Sequence, residues 1–82
     1  MTQLAKLYAA ALNGRRLSLA EFCRLMEAFG YRLVRTKGSH RVFHHAASCD
    51  TRIVQPRGKD AKTYQIKQFL DTIEELGLQL ED

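Results

Sequence analysis

Several classes of protein are excluded by what this sequence of 82 residues lacks. It has no tryptophan, one proline and two cysteines. No apolar run approaches the roughly 20 residues of a membrane-spanning helix, and the N-terminus lacks the apolar core of a signal peptide. Glycine-rich phosphate loops and Gly-x-Ser-x-Gly elbows are also missing. We therefore expect no membrane association, and neither a serine hydrolase nor a nucleotide-dependent enzyme.

The two cysteines are too few for a disulfide framework, and neither has a CxxC partner. We expect free thiols in a reducing compartment, with Cys23 on a helix face and Cys49 in a turn. A zinc site that combines Cys49 with His40, His44 and His45 is disfavoured, because adjacent residues of a strand point to opposite faces. The sequence therefore predicts neither a metal site nor a cofactor.

Positive charge is concentrated in the middle of the chain. The net charge is +4, yet nine of the thirteen Lys and Arg residues lie between residues 32 and 67, where only two acidic residues occur. The segment after residue 67 is acidic. A basic segment of this kind is typical of a protein that binds a phosphate backbone, the alternative being a basic surface without a partner.

A chain of this length forms one domain, which excludes a large enzyme with several substrates.

Apolar residues at helical spacing predict three helices. The first spans residues 2–12. The second begins at Ser18, where Ser18 and Glu21 match a capping box, and ends at Gly30. The third spans about residues 63–76 and ends at Gly77. The apolar faces comprise Leu4, Leu7, Tyr8 and Ala11 on the first helix, Phe22, Leu25, Met26 and Phe29 on the second, and Ile66, Phe69, Leu70 and Ile73 on the third.

Three strands are predicted over residues 31–36, 40–45 and 51–55. Gly38 favours a tight turn between the first two, because glycine tolerates a positive φ. Pro56 ends the third strand, and residues 57–60 form a basic loop. The order α-α-β-β-β-α predicts an α+β fold in which helices cover one face of an antiparallel sheet. We expect a single domain with a helical extension over residues 1–14, a core over residues 17–78 and an acidic tail over residues 79–82.

Four short motifs after the second helix give the chain a family resemblance. They are Gly30-Tyr31, Leu33-Val34-Arg35, Lys37-Gly38-Ser39-His40 and Val42-Phe43. In these motifs, and more broadly over about residues 17–78, the sequence resembles HicA-type toxins, which are small mRNA interferases of toxin–antitoxin pairs. The sequence departs from the family pattern in three places. These are the first helix, the Lys62-Thr63 pair where the family usually has Gly-Thr, and the long acidic segment 71–82.

The resemblance implies a fold like that of the double-stranded RNA-binding domain. It also implies a ribonuclease that acts on mRNA without a metal and depends on the histidine of the Gly-Ser-His turn, here His40. An antitoxin of the HicB type is expected to cover the same surface. The implied location is the cytoplasm of a bacterium or archaeon.

The Gly-Ser-His turn suits the chemistry of RNA cleavage. A base must remove the proton of a 2′-hydroxyl, and an imidazole, whose ordinary pKa is about 6.5, can do so near neutral pH. Gly38 allows the backbone to approach a phosphate, and Ser39 adds a hydroxyl donor. Cations can then stabilise the charge that develops on the phosphate. The predicted substrate-binding residues are Gly38, Ser39, Lys37, Arg35, Arg41, Arg32, Arg52, Arg57, Lys59 and Lys62.

Two other functions are compatible with the sequence. One is an RNA-binding module without catalysis, which shares every cation and differs only in the role of His40. The other is an interaction protein, in which the first helix and the acidic last helix form a homodimer. Strand alternation also places His44 on the same face as His40, where it is either a second proton-transfer group or a surface residue. It places His45 on the opposite face, with Arg41 and Phe43.

Overall fold

A computed structural model describes residues 3–80 and contains three helices and two antiparallel sheets. The elements are α1 (Gln3–Leu12), α2 (Leu19–Ala28), β1 (Arg32–Lys37), β2 (His40–His45), β3 (Asp50–Val54), β4 (Pro56–Arg57), β5 (Asp60–Ala61) and α3 (Thr63–Leu76). Residue 2 of the predicted first helix and residues 81–82 of the predicted acidic tail lie outside the described residues. Within residues 3–80, no helix is both long enough and apolar enough to cross a bilayer.

The predicted α+β fold is confirmed. The main sheet is a meander in the order β1-β2-β3, and all its pairs are antiparallel. Gly38, with φ of 59°, and Ser39 form the turn between β1 and β2, so that Lys37 lies opposite His40. The register of β1 shifts between Leu33 and Arg35, which marks a bulge in this edge strand.

The predicted basic loop over residues 57–60 is wrong. These residues form a short hairpin in which Arg57 pairs with Asp60, and Gly58 turns the chain with φ of 65°. The hairpin is held by the segment before α2: the Ala61 amide donates to the carbonyl of Leu17 at 3.1 Å. This pairing joins segments that are distant in the sequence. The local sequence around Pro56 therefore predicts the end of a strand but not the hairpin.

Two strand boundaries also differ from the predictions. β1 begins and ends one residue later than expected, because the turn takes only two residues and Lys37 belongs to the ladder. β3 begins at Asp50, which pairs with His45, and ends at Val54, so Gln55 lies outside the strand.

The predicted start of the second helix and the predicted end of the third helix are confirmed. The Ser18 amide donates to the Glu21 carboxylate at 2.9 Å, and the Glu21 amide donates to the Ser18 hydroxyl at 3.1 Å. Such a cap contributes about 1 kcal/mol. At the end of α3, Gly77 has φ of 68° and the Leu78 amide donates to the carbonyl of Ile73 at 2.9 Å. Both ends depend on interactions within one turn, which a sequence pattern can predict.

The core lies between the helices and the inner face of the sheet, around the ring of Phe69. Edge-on contacts join this ring to Phe22, Phe29 and Tyr31, with centroids 5.6, 5.8 and 5.5 Å away. All four side chains are at most 2% exposed. Phe69 therefore connects α3 to α2 and to the start of the sheet.

The apolar stripe of α1 packs inside the chain. Leu7 and Ala11 are buried, and the Tyr8 ring lies 5.1 Å from that of Phe29. The predicted homodimer uses this helix together with the acidic last helix. The homodimer stays a prediction, without support from these three residues.

Candidate nucleic-acid interface

The outer face of the sheet is the face turned away from the helices. Phe43 is buried against the helices, so its neighbours Val42 and His44 point the other way. Residues that lie opposite each other in an antiparallel pair share a face. The outer sheet face therefore comprises Arg32, Arg35, Lys37, His40, Val42, His44, Thr51 and Ile53. Among these residues there are three cations and two histidines, and no carboxylate.

His40 occupies the open end of this face. It is exposed, begins β2 and lies directly opposite Lys37. Directly opposed side chains have their Cβ atoms about 4.5–5.5 Å apart, so one anion can contact both the imidazole and the ammonium. A Cβ built on Gly38 would meet no atom within 4 Å, so the space beside the turn is open to a ligand. The structure thus brings His40, Lys37, Gly38 and Ser39 together as the sequence predicts.

The His40 end of the sheet continues into α3 through Gln55 and Lys62. Arg41 pairs with Val54, so the residues next to them, His40 and Gln55, lie at the same end of the sheet. The Lys62 ammonium donates to the Gln55 side-chain carbonyl at 2.9 Å. This hydrogen bond brings Lys62 towards the end of the sheet that carries His40.

Beyond Lys62 lies a cleft of about 620 Å³, which we call the basic cleft. Its lining residues are Arg16, Arg57, Asp60, Ala61, Lys62, Thr63 and Tyr64. Arg16 pairs with Asp60 at 3.9 Å. Within residues 3–80, Arg57 and Lys62 form no ion pair with a carboxylate, which leaves two positive charges for an anionic ligand. Lys59, in the turn of the neighbouring hairpin, is also exposed.

Arg41 lies on the inner side of the sheet, on the face opposite to His40. It pairs with Val54, which is buried, and its charge acts on Cys23 of α2. Burial raises the pKa of the Cys23 thiol, although the charge of Arg41 opposes the rise. The predicted substrate-binding residue Arg41 is therefore not brought together with His40. The sequence already indicated that Arg41 and His40 lie on opposite faces, because strand alternation groups Arg41 with Phe43.

Arg52 ties the sheet to α3. Its Nε donates to Asp50 Oδ2 at 2.9 Å, and its terminal nitrogen donates to the hydroxyl of Thr72. The Tyr31 hydroxyl donates to the same Asp50 oxygen at 2.7 Å. The sequence predicts Arg52 to be one of the substrate-binding cations, because its charge is evident from the sequence whereas its partners are not. In the folded chain Arg52 stabilises the end of the sheet away from His40.

The Tyr31–Asp50–Arg52 network makes stability depend on pH. Burial by itself would raise the pKa of the Asp50 carboxyl, but the hydrogen bonds from Tyr31 and Arg52 outweigh it and hold that pKa below its usual value. A depressed carboxyl pKa stabilises the fold above the ordinary value of about 3.9, and this contribution is lost as the pH falls through the folded-state pKa.

We therefore expect Asp50→Asn to lower the free energy of unfolding at pH 7 by about 1–3 kcal/mol. The difference from wild type should shrink as the pH falls below about 4, because the wild-type carboxyl then becomes neutral as well. Urea titrations at several pH values between 2 and 7 measure it. A difference that stays constant over this range would show that the charge of Asp50 does not contribute.

The two neighbouring histidines point to opposite faces, as predicted. The His44 ring is hydrogen-bonded to the Thr51 hydroxyl at 3.0 Å on the outer sheet face. His45 is 6% exposed, packs against Tyr31, and its Nδ1 accepts from the Ser48 amide at 3.2 Å. His45 thus closes the turn before β3. Over residues 3–80, no group of three or more His, Cys, Asp or Glu side chains is placed to hold a metal ion.

Comparison with known proteins identifies one family. A family model described as HicA toxin of bacterial toxin–antitoxin matches residues 19–78. The match includes α2, the sheet with the Gly-Ser-His turn, the basic cleft residues from Arg57 onward and α3, and it leaves α1 outside. Searches of curated proteins and of solved structures gave no match.

Proposed function

The chain belongs to the HicA toxin family of bacterial toxin–antitoxin systems, and from this premise we propose that it is an endoribonuclease that cleaves mRNA without a metal ion. A toxin of this kind has a cognate antitoxin. The observation that carries the proposal is the exposed His40 imidazole, which lies beside an open glycine turn and opposite Lys37 on a face whose described residues include no carboxylate. The proposed place of action is the cytoplasm, where mRNA is translated.

In the proposed mechanism, His40 accepts the proton of a ribose 2′-hydroxyl. The 2′-oxygen attacks the adjacent phosphorus, and the bond from phosphorus to the 5′-oxygen breaks. The leaving oxygen takes a proton from water, so the products are a 2′,3′-cyclic phosphate and a 5′-hydroxyl. Lys37, directly opposite His40, stabilises the negative charge on the phosphorane. General acid–base catalysis contributes about 10²–10⁴-fold, which suits a toxin that acts slowly on many messages.

Along the rest of the outer sheet face, Arg35 and Arg32 bind neighbouring phosphates. These contacts fix the position of the strand without reading its sequence. We propose that a HicB-type antitoxin neutralises the toxin by covering this face, with acidic groups opposite the three cations. Arg57, Lys59 and Lys62 extend the phosphate-binding surface from the sheet to the start of α3.

The second candidate function is an RNA-binding module without catalysis. One observation favours it: in the described part of the chain, the His40 ring has no side-chain hydrogen-bond partner to orient it. Catalytic bases are commonly oriented by a third group. Under this reading every cation keeps its role, and His40 is a further contact to RNA.

Cleavage in the presence of a chelator tests the proposal. We expect the wild-type protein to cut a long single-stranded RNA at the same rate with and without EDTA, and to leave 2′,3′-cyclic phosphate ends. A mock preparation from cells without the gene controls for contaminating ribonucleases. Binding of the RNA without cleavage would contradict the enzyme proposal and favour the binding module.

A further inference from the structure

Tyr64 is a large aromatic side chain that the fold leaves exposed. It lies in the first turn of α3, is 55% exposed and lines the basic cleft. A single exposed apolar residue needs no explanation. Tyr64 differs because its ring shares a cleft with two cations, Arg57 and Lys62, that have no carboxylate partner within residues 3–80.

The ring is connected to the His40 end of the sheet by Lys62. The Lys62 ammonium lies 5.9 Å from the centroid of the Tyr64 ring and donates to the side chain of Gln55 at 2.9 Å. Gln55 follows Val54, which pairs with Arg41, the residue after His40. The Gln55–Lys62 hydrogen bond therefore connects the His40 end of the sheet to the basic cleft.

The lining of the cleft matches the chemistry of a nucleotide. An exposed aromatic ring provides a face on which a planar base can stack, and such stacking tolerates any base because every base has a π-face. Arg57 and Lys62 beside it provide charge for the adjoining phosphates. A duplex cannot use the ring, because its bases are already stacked and paired, so it offers only phosphates and hydroxyls.

We propose that Tyr64 stacks on an unpaired base of bound RNA while Arg57 and Lys62 contact its phosphates. This inference depends on the proposed function only in that the ligand is RNA, and it does not require cleavage. The bound RNA is then unpaired where it passes from His40 to the start of α3. Tyr64 is then a binding residue that favours unpaired over paired RNA.

The test uses an oligonucleotide of about 12 residues with 2-aminopurine at successive positions, since ligands of this length match known single-strand sites. Its riboses are 2′-O-methylated, so that it cannot be cleaved through a 2′-hydroxyl and the wild-type protein can be used. Stacking on an aromatic ring quenches 2-aminopurine fluorescence. We expect the wild type and Tyr64→Phe to quench at least one position.

Tyr64→Ala and Tyr64→Leu should both lose this quenching and bind the single strand about tenfold more weakly. Tyr64→Leu retains an apolar side chain without a π-face and serves if Tyr64→Ala folds poorly. Leu76→Ala, at an exposed site at the other end of α3, is the matched control and should bind like wild type. The affinity for a duplex of the same sequence should be unchanged in all four variants.

Three results would overturn the inference. Quenching and affinity that are unchanged in Tyr64→Leu would show that the ring does not contact a base. Equal losses for single-stranded and duplex RNA would assign Tyr64 to the phosphate-binding surface. Weaker binding of the antitoxin with unchanged RNA binding would assign the ring to the protein interface. Wild-type protein that binds no RNA at all would overturn the proposed function together with this inference, whereas the first three results leave the proposed function intact.

Discussion

Replacing His40 with alanine is expected to slow cleavage of single-stranded RNA by about 10²–10⁴-fold, the usual contribution of a general base. RNA affinity should change little, because Arg32, Arg35 and Lys37 on the same face retain their charges. The measurement pairs single-turnover cleavage rates with dissociation constants at one stated salt concentration, since phosphate contacts make affinity depend on salt.

His44→Ala is the matched control for this variant. His44 lies on the same face and the same strand as His40, but it is hydrogen-bonded to Thr51 and lies four residues away. A strand rises about 3.3 Å per residue, so the two rings cannot contact one scissile phosphate when both stand upright on the sheet. We expect His44→Ala to cleave at nearly the wild-type rate.

Other outcomes for these variants assign other roles. If His40→Ala cleaves normally, His40 is not the base. If it loses affinity and rate by the same factor, His40 is a phosphate contact. If His44→Ala loses more activity than His40→Ala, the reaction takes place nearer the middle of the outer sheet face, and the role proposed for the Gly-Ser-His turn is wrong.

Replacing Phe69 with alanine is expected to lower the free energy of unfolding by about 3–5 kcal/mol. The ring is 1% exposed and contacts the rings of Phe22, Phe29 and Tyr31, so its removal leaves a cavity between α3, α2 and the sheet. Single domains are stable by about 5–15 kcal/mol, and this loss is a large part of that. Urea unfolding followed by far-UV circular dichroism measures the change.

Two further variants make the Phe69 result specific. Phe69→Leu keeps most of the apolar volume and should lose clearly less stability than Phe69→Ala. Leu76→Ala, at an exposed position of the same helix, should stay within about 0.5 kcal/mol of wild type. A loss below about 1 kcal/mol for Phe69→Ala would mean that the neighbouring rings close the cavity, so that α3 is not held by this contact.

The two ends of the main sheet have different roles, one structural and one proposed for ligand binding. At one end, the Tyr31–Asp50–Arg52 network and the His45–Ser48 contact join the sheet to α3 and close a turn. The other end carries the exposed Gly-Ser-His turn and leads through Gln55 and Lys62 into the basic cleft. Polar side chains are thus bonded to one another at the first end, whereas at the second end the exposed His40 ring has no side-chain hydrogen-bond partner within residues 3–80.

Local patterns in the sequence determined most of the secondary structure. The capping box of Ser18 and Glu21, Gly77 after α3 and the Gly38 turn each depend on residues within one helical turn or one hairpin. The family resemblance through Lys37-Gly38-Ser39-His40 is equally local. These features could be predicted because their physical causes lie within a few residues of one another.

Only the tertiary structure showed which partners engage each cation, although strand alternation already separated the face of Arg41 from that of His40. Arg35, Arg41 and Arg52 carry the same charge in the sequence. In the fold, Arg35 lies on the outer sheet face, Arg41 lies near Cys23, and Arg52 is bonded to Asp50 and Thr72. The sequence supplies the charge of a side chain, but its partners depend on which distant segments pack beside it.

Packing between distant segments also explains why the β4–β5 hairpin and the basic cleft could not be predicted. The hairpin forms because Ala61 bonds to Leu17, more than forty residues earlier in the chain. In the sequence, Tyr64 is only one residue of a predicted helix. It becomes a candidate base-stacking site because the fold places Arg57 and Lys62 in the same cleft. The sequence by itself therefore determined the three helices, the three strands of the main sheet and the His40 turn, whereas long-range packing decided the β4–β5 hairpin and which charges and rings can reach a ligand.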